Sequence, residues 1–516
     1  MKNKRYSRRV LFALSLLILT TSSCSDFLTV QPRDKKIVST VADYRDMMAS
    51  YLLPITTINP SSSLLSGSFK SATGGNSIPS FGSVGAVLAV FTGEVPLAVA
   101  KPYYDVDLGG AITSVGRKVA SWQYQNWDVW TRNYAFIGNL NVILNGLDSA
   151  VGDDEEMRNY IKGEALVWRA YSYFKLLQYY SPYNNNELGI VIHLDPVTNI
   201  GTTKPKRNTQ KESFEQIISD CYQALDLIKE SGSGRWNFAF REDFINAMLA
   251  GVYTYKGLSA SAEGSDWQNA EKHATLAIGN RKLINTSAEL VKFFNASLSG
   301  ITAALGGYKS DEFFIRIMGG DNSTALFGTG NFASFYTNRS PSIGPGDGTV
   351  NNLYFEKYSD NDLRKSVYFR SNKNSKYSLE SLTLLLGGSG SYGLLMPFRL
   401  AEMYLIKAEA LCRQNKPEAY DVLEYFKESR YSVPSERAHN MDELLEEIIL
   451  ERELEFYQEV DMIWLDIKRL GKTLVKSIEN EEYVLEPNDY RLSFIIPESE
   501  MIRNDNMVQN PGWIWE

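Results

Sequence analysis

Three glutamates, Glu451, Glu455 and Glu459, recur every four residues in the stretch ERELEFYQE, so a helix would line them along one face. Paired carboxyls are the machinery of glycoside hydrolysis, which needs two of them held roughly 5–10 Å apart across a cleft. The same residues alternate with Arg452 and with apolar Leu454, Phe456 and Trp464, the pattern of a packed helix tied by salt bridges. We take that second reading, with catalysis as its rival. No G-x-S-x-G, H-E-x-x-H, G-x-x-x-x-G-K or G-x-G-x-x-G element falls in a suitable context, and no cofactor motif stands out. His193, His273 and His439 are scattered without ligand spacing, so no metal site is expected. Cys221 and Cys412 sit inside helical patterns, where a buried free thiol is the usual state and a bridge the alternative.

The elements that must position these residues are mostly helices. Amphipathic patterns run over 127–149, 154–180, 211–230, 241–262, 266–279, 398–414, 416–430 and 441–469, after a short one in VADYRDMMASYL. Small residues fall where paired helices would approach closely: Ala165 and Ala170; Ala247, Ala250 and Gly251; Ala270, Ala274 and Ala277; Ala408 and Ala419. The pair EDFINAMLAGVYTYKG and DWQNAEKHATLAIGN resembles a degenerate tetratricopeptide unit, whose period is about 34 residues. The expected fold is mainly α, a tetratricopeptide-like helical-repeat scaffold with long irregular insertions containing short strands. Those insertions lie near 54–126, 181–210, 284–397 and 471–516. The first is Gly/Ser-rich with no sustained helical period, and the third holds Gly-rich loops and strand-like DEFFIRIM. Segments of this kind are functional or floppy, and both readings stay open.

The chain begins MKNKRYSRRVLFALSLLILTTSSC: five basic residues, an apolar run from Val10 to Leu19, small polar residues and Cys24. That run is too short to span a bilayer and has the form of a signal-peptide core, so residues 1–23 are read as an export signal. A cysteine at that place resembles a bacterial lipobox, which makes Cys24 the lipidated mature N-terminus; ordinary secretion or a twin-arginine signal is the alternative. The net charge of -8 gives no footprint for nucleic acid. Thirty Tyr, 24 Phe and 9 Trp are enough to fill a core and leave rings for stacking recognition.

The C-terminal third carries a family resemblance. PFRLAEMYLIKAEAL (397–411) resembles the R-x-A-E-x-Y-L-x-x-A-E-A helix of SusD/RagB proteins. ERELEFYQEVDMIWLDIKR (451–469) is similar to their E-R-x-x-E-L-x-x-E-G-x-R-W-x-D-L-x-R segment, and FIIPESEMIRNDNMVQNPGW to their closing I-P-x-x-E and Q-N-P-G-Y/W. CSDFLTVQPRDK resembles the mature start. Val460 stands where the family has Gly, the stretch from Glu459 to Trp464 is one residue longer, and the Arg before the Trp is missing; these departures bear on a local turn and its salt bridges.

The resemblance implies one SusD-like domain over 24–516. It implies a cell-surface outer-membrane lipoprotein, not an enzyme, that captures oligosaccharide and delivers it to a SusC-like TonB-dependent transporter. A peptide ligand, a surface glycoside hydrolase and a periplasmic scaffold are the rival readings. Family ligands are held largely by the first and third insertions. Rings that could stack on sugar faces, and polar groups that could meet hydroxyls, crowd both: Phe69, Phe81, Tyr103, Tyr104 and Asp105 in one, Phe332, Phe335, Tyr336, Asn338 and Arg339 in the other.

Overall fold

A computed structural model describes residues 38–52, 55–56, 82–94, 118, 121–123, 129–196, 203–230, 239–294, 310–321, 352–370, 373–374, 391–395, 397–433, 437–457, 459, 461–478 and 481–514. Helix α1 (Val41–Tyr51) begins where the sequence supplies a capping box. The Asp43 N–H donates to the Thr40 hydroxyl at 3.1 Å, and the Thr40 N–H donates back to the Asp43 carboxylate at 3.0 Å. Strand β1 (Ile55–Thr56) and helix α2 (Gly82–Phe91) follow. Helix α2 corrects the expectation of an insertion without helical character. Val87 through Phe91 are all buried, and a helix apolar on every side has no polar face to set up a readable period.

Helices α3 (Val129–Leu147), α4 (Glu155–Tyr180), α5 (Gln210–Glu230), α6 (Glu242–Lys256) and α7 (Asp266–Ile278) pack in succession, each on the one before. Every residue of α4 from Gly163 to Tyr180 is buried, which makes this helix the central column of the core. Its rings set the packing: Tyr179 stacks on Phe494 at 4.9 Å, and Trp168 meets Tyr171 edge-on at 5.6 Å. The small residues of the helical patterns occupy the crowded positions, and Ala165, Ala170, Ala247, Ala250, Ala274, Ala408 and Ala419 are fully buried. A Cβ on Gly163 would stand 2.2 Å from the Phe240 ring, and one on Gly251 would stand 2.7 Å from Phe398. Helix α6 stops six residues before its expected end. Gly257 is pressed against the Trp267 indole, and the Lys256 ammonium turns to Asp266 at 2.9 Å.

The third insertion also contains helices that its glycine content hides: α8 (Ser287–Phe294), α9 (Asn352–Lys357) and α10 (Leu363–Tyr368). Strand β2 (Arg316–Asp321) takes up only the end of DEFFIRIM. Strands β3 (Phe369–Arg370) and β4 (Lys373–Asn374) pair with each other, and β5 (Ser391–Leu395) completes an antiparallel sheet of order β1-β2-β5. Ile317 is opposite both Ile55 and Leu395.

Helices α11 (Leu400–Arg413) and α12 (Glu418–Glu428) form the next pair, and α11 lies against α7, so the row continues across the insertion. The expected single helix over 441–469 is two: α13 (Met441–Glu455), capped by Asn440, and α14 (Met462–Leu470), ended by Gly471 at φ +62°. The break has a partner on each side of it. Arg399 holds Glu459, while Asp461 accepts from Lys175 and from the Tyr179 hydroxyl (2.8 and 2.5 Å), which a continuous helix would not allow together. A hairpin of β6 (Leu474–Ile478) and β7 (Glu481–Leu485) and helix α15 (Glu498–Arg503) close the chain. Among the described residues no helix is long and apolar enough to cross a membrane.

Candidate functional site

The three glutamates end up in one ionic hub, with Glu451 and Glu455 buried and Glu459 partly so. Glu455 accepts from Arg430 Nε at 2.9 Å, from Arg399 Nη2 at 3.0 Å and from Arg364 Nη1 at 3.3 Å. Glu451 accepts from Arg364 Nη2 at 2.7 Å and from the Tyr431 hydroxyl. Glu459 accepts from Arg399 Nη2 at 2.6 Å, and Arg430 also reaches Glu312 at 3.0 Å. Arg364, Arg399 and Arg430 are among the largest fully buried side chains of the protein. Burial alone would raise the Glu455 carboxyl, but the Arg430, Arg399 and Arg364 guanidiniums hold it well below the usual carboxylate range. A general acid or base works best with a pKa near the operating pH. Glu455 is a fixed anion inside a cage.

The neighbouring motif positions serve the same structural end. Glu409 forms a two-pronged pair with Arg469, both contacts 2.8 Å, and also takes Arg413; these guanidiniums outweigh its burial and bring it down to about 2. Asp466 joins Arg452 to Arg469 at 3.0 and 2.6 Å. Glu402 differs: burial, opposed by Arg452 and reinforced by Asp466, lifts its carboxyl to about 7. These contacts clamp α11 to α13 and α14, so the recurring R-x-A-E and E-R-x-x-E spacings are legible as scaffold. Cys221 and Cys412 are free buried thiols, as their helical settings suggest.

The closing QNPGW segment folds back onto the end of α4. Asn510 donates to the Tyr180 and Phe494 carbonyls, both at 2.8 Å, and Trp513 donates to the Ser493 carbonyl at 2.7 Å. Gly512 has φ +90°, and a Cβ there would stand 2.5 Å from Tyr490. Between this segment, the loop after α4 and the residues following β7 lies a cavity of about 330 Å³, lined among others by Tyr183, Asn185, Lys468, Asn488, Tyr490 and Ser493. Rings beside amides and a cation are groups a polar ligand needs. Reading the sequence missed this cavity. Its one local signal is Lys468, which lies four residues after Trp464 and therefore on the buried face of an amphipathic helix.

Phe69, Phe81, Tyr103, Tyr104, Asp105, Phe332, Phe335, Tyr336, Asn338 and Arg339 lie outside the described residues, as does Cys24. The structure does describe the roots of the segments that carry the rings. Strand β1, at the start of the first insertion, pairs with β2 in the third, through Ile55–Ile317 and Thr56–Arg316. Trp122, near the end of the first insertion, is fully buried at φ +59°. Its indole N–H donates to the Phe91 carbonyl at 2.9 Å, and the Lys476 ammonium sits 4.5 Å from its ring.

A row of helix pairs whose first and third insertions meet in one small sheet defines a helical-repeat scaffold. A family model described as "Starch-binding associating with outer membrane" matches residues 108–253, and the model of the SusD family matches 350–513. The chain belongs to the SusD/RagB family. It is 26% identical over 437 residues to SusD-like protein P2 of Formosa agariphila, covering 74% of this chain and 80% of that one. Among solved structures it is similar to a SusD-like carbohydrate binding protein from Bacteroides vulgatus, with TM-score 0.61 and 19% identity over 91% of this chain and 97% of that one. A SusD superfamily protein from Bacteroides fragilis gives TM-score 0.62 and 17% identity over 92% of this chain and all of the other.

Proposed function

We propose that the chain is a non-catalytic, cell-surface glycan-binding lipoprotein. In this reading residues 1–23 are removed, acyl chains on Cys24 tether the single domain 24–516 to the outer membrane, and the protein passes oligosaccharide to a SusC-like TonB-dependent transporter. The observation that carries the reading is family membership, with a starch-binding, outer-membrane description attached to the model that matches the central helices. The fate of the acidic cluster supports it from the other side, because Glu451, Glu455 and Glu459 are each held by buried arginines and none faces a cleft as a paired acid and base. Sugar rings would stack on the aromatics of the first and third insertions, with Tyr103, Tyr104, Phe335 and Tyr336 foremost, and Asp105, Asn338 and Arg339 would meet hydroxyls.

The test is calorimetric titration of the mature protein against a glycan panel, with chromatography of each mixture after incubation. Binding of at least one oligosaccharide, recovered uncleaved, is the expected result. Cleaved products would replace this reading with a hydrolase, and a response to peptides alone would replace the ligand class.

A further inference from the structure

The cavity beside the end of α4 has an electrostatic peculiarity. Lys468, 1% exposed, lines it and donates to the Gln178 and Ser181 carbonyls at 2.8 and 2.9 Å. Arg207, joined to the cavity wall through Asn510 Oδ1 at 2.8 Å, donates its remaining bonds to the Gly189, Val508, Tyr180 and Leu188 carbonyls. Among the described residues no carboxylate pairs with either cation. The one acid among the described residues of the wall, Asp489, is taken by Arg491 at 2.7 Å.

The carboxyl end of a helix offers the equivalent of roughly half a negative charge. That is less than the buried Lys468 and the half-buried Arg207 require together, and burying a charge without a counter-charge is costly. An ammonium also has three protons, and two of those on Lys468 are spoken for. Its burial, with Arg207 close by, brings Lys468 down to about 7, which a bound anion would reverse.

We propose that this cavity binds a sugar acid of one ring, its carboxylate meeting the Lys468 ammonium while Asn184, Asn185 and Asn488 meet the ring hydroxyls and Tyr490 lies alongside. At about 330 Å³ the space sits near the lower end of the roughly 300–1,000 Å³ of small-ligand pockets, which suits one ring and not a chain. The proposal uses none of the insertion aromatics and stands or falls independently of the oligosaccharide reading above.

The experiment titrates the full mature protein with glucuronate and galacturonate, and with glucose, galactose, acetate and inorganic phosphate, following heat and Trp513 fluorescence. Trp513 reports because its ring meets that of Tyr490 at 5.0 Å. One of the uronates is expected to bind at least about tenfold more tightly than its neutral sugar, and Lys468→Met to remove that preference. Asn184→Trp, at an exposed position on the rim, is expected to block binding with Lys468 intact, and it decides the matter if the Lys468 variant does not fold. Equal affinity for neutral and acidic sugars, no uronate binding, or acetate and phosphate binding as tightly as the uronate would each overturn the proposal. The insertion site is read separately, by the glycan panel on the same protein.

Discussion

Arg399 Nη2 lies 3.0 Å from Glu455 Oε1 across 56 residues of sequence, and both side chains are shut away from solvent. The pair joins the start of α11 to the end of α13, and Glu455 shares its other contacts with Arg430 and Arg364. Removing one partner from a buried pair leaves the other charge uncompensated, which typically costs about 3–5 kcal/mol. Glu455→Ala is therefore expected to lower the urea midpoint sharply. By contrast, Asp421→Ala, which breaks an exposed pair with Arg437, is expected to cost less than about 1 kcal/mol. Similar midpoints for the two variants would refute the hub's role in stability.

The raised carboxyl of Glu402 gives stability a pH dependence on the acid side. With a folded value of about 7 against an unfolded value near 4.3, the folded state holds the extra proton between those limits. Stability contributed by this group is therefore present below about pH 4.3 and lost as pH rises through about 7, by up to roughly 4 kcal/mol. Melting temperatures measured from pH 4.5 to 7.5 should fall less steeply in Glu402→Gln than in the wild type. Parallel profiles would count against it.

Lys476 works in the opposite sense. Its ammonium is buried with no hydrogen-bond partner among the described residues, and burial brings it down to about 7. The unfolded chain, with a lysine near 10.4, binds the extra proton between those limits, so wild-type stability rises with pH across that range. Relative to the wild type, Lys476→Met is expected to be most favourable at pH 6 and to lose that advantage by pH 10. The ring contact with Trp122, worth about 0.5–2 kcal/mol, offsets part of the gain. An unchanged difference between the two pH values would show that the lysine titrates normally.

Close packing of the central column can be tested at Gly163, where a Cβ would meet the Phe240 ring. Alanine improves helix propensity by about 1 kcal/mol, yet overpacking costs about 1–3 kcal/mol. A net loss in Gly163→Ala, read by thermal unfolding, is the expected sign, and a net gain would mean the ring moves aside freely.

The proposed anchoring rests on Cys24. Cys24→Ser should abolish incorporation of labelled palmitate and shift the protein from the membrane fraction to the soluble one, because stable tethering depends on the acyl chains. Retention in the membrane fraction would locate the attachment elsewhere.

Local spacing was enough to reveal the helices and the small residues at their crossings, because a stripe repeating every three or four residues is written into adjacent positions. It was also enough to pick out the C-terminal motifs. Long-range closure settled the rest. Glu451, Glu455 and Glu459 look alike in the chain, and their character comes from Arg364, Arg399 and Arg430, which reach them from 25 to 91 residues away. Helix α2 escaped because burial on all sides erases a pattern, and the break between α13 and α14 escaped because its cause, Asp461 meeting Lys175, spans 286 residues. The cavity around Lys468 draws its walls from four separate stretches. Which segments meet is decided by the packing of the whole row, and no short window of sequence contains that information.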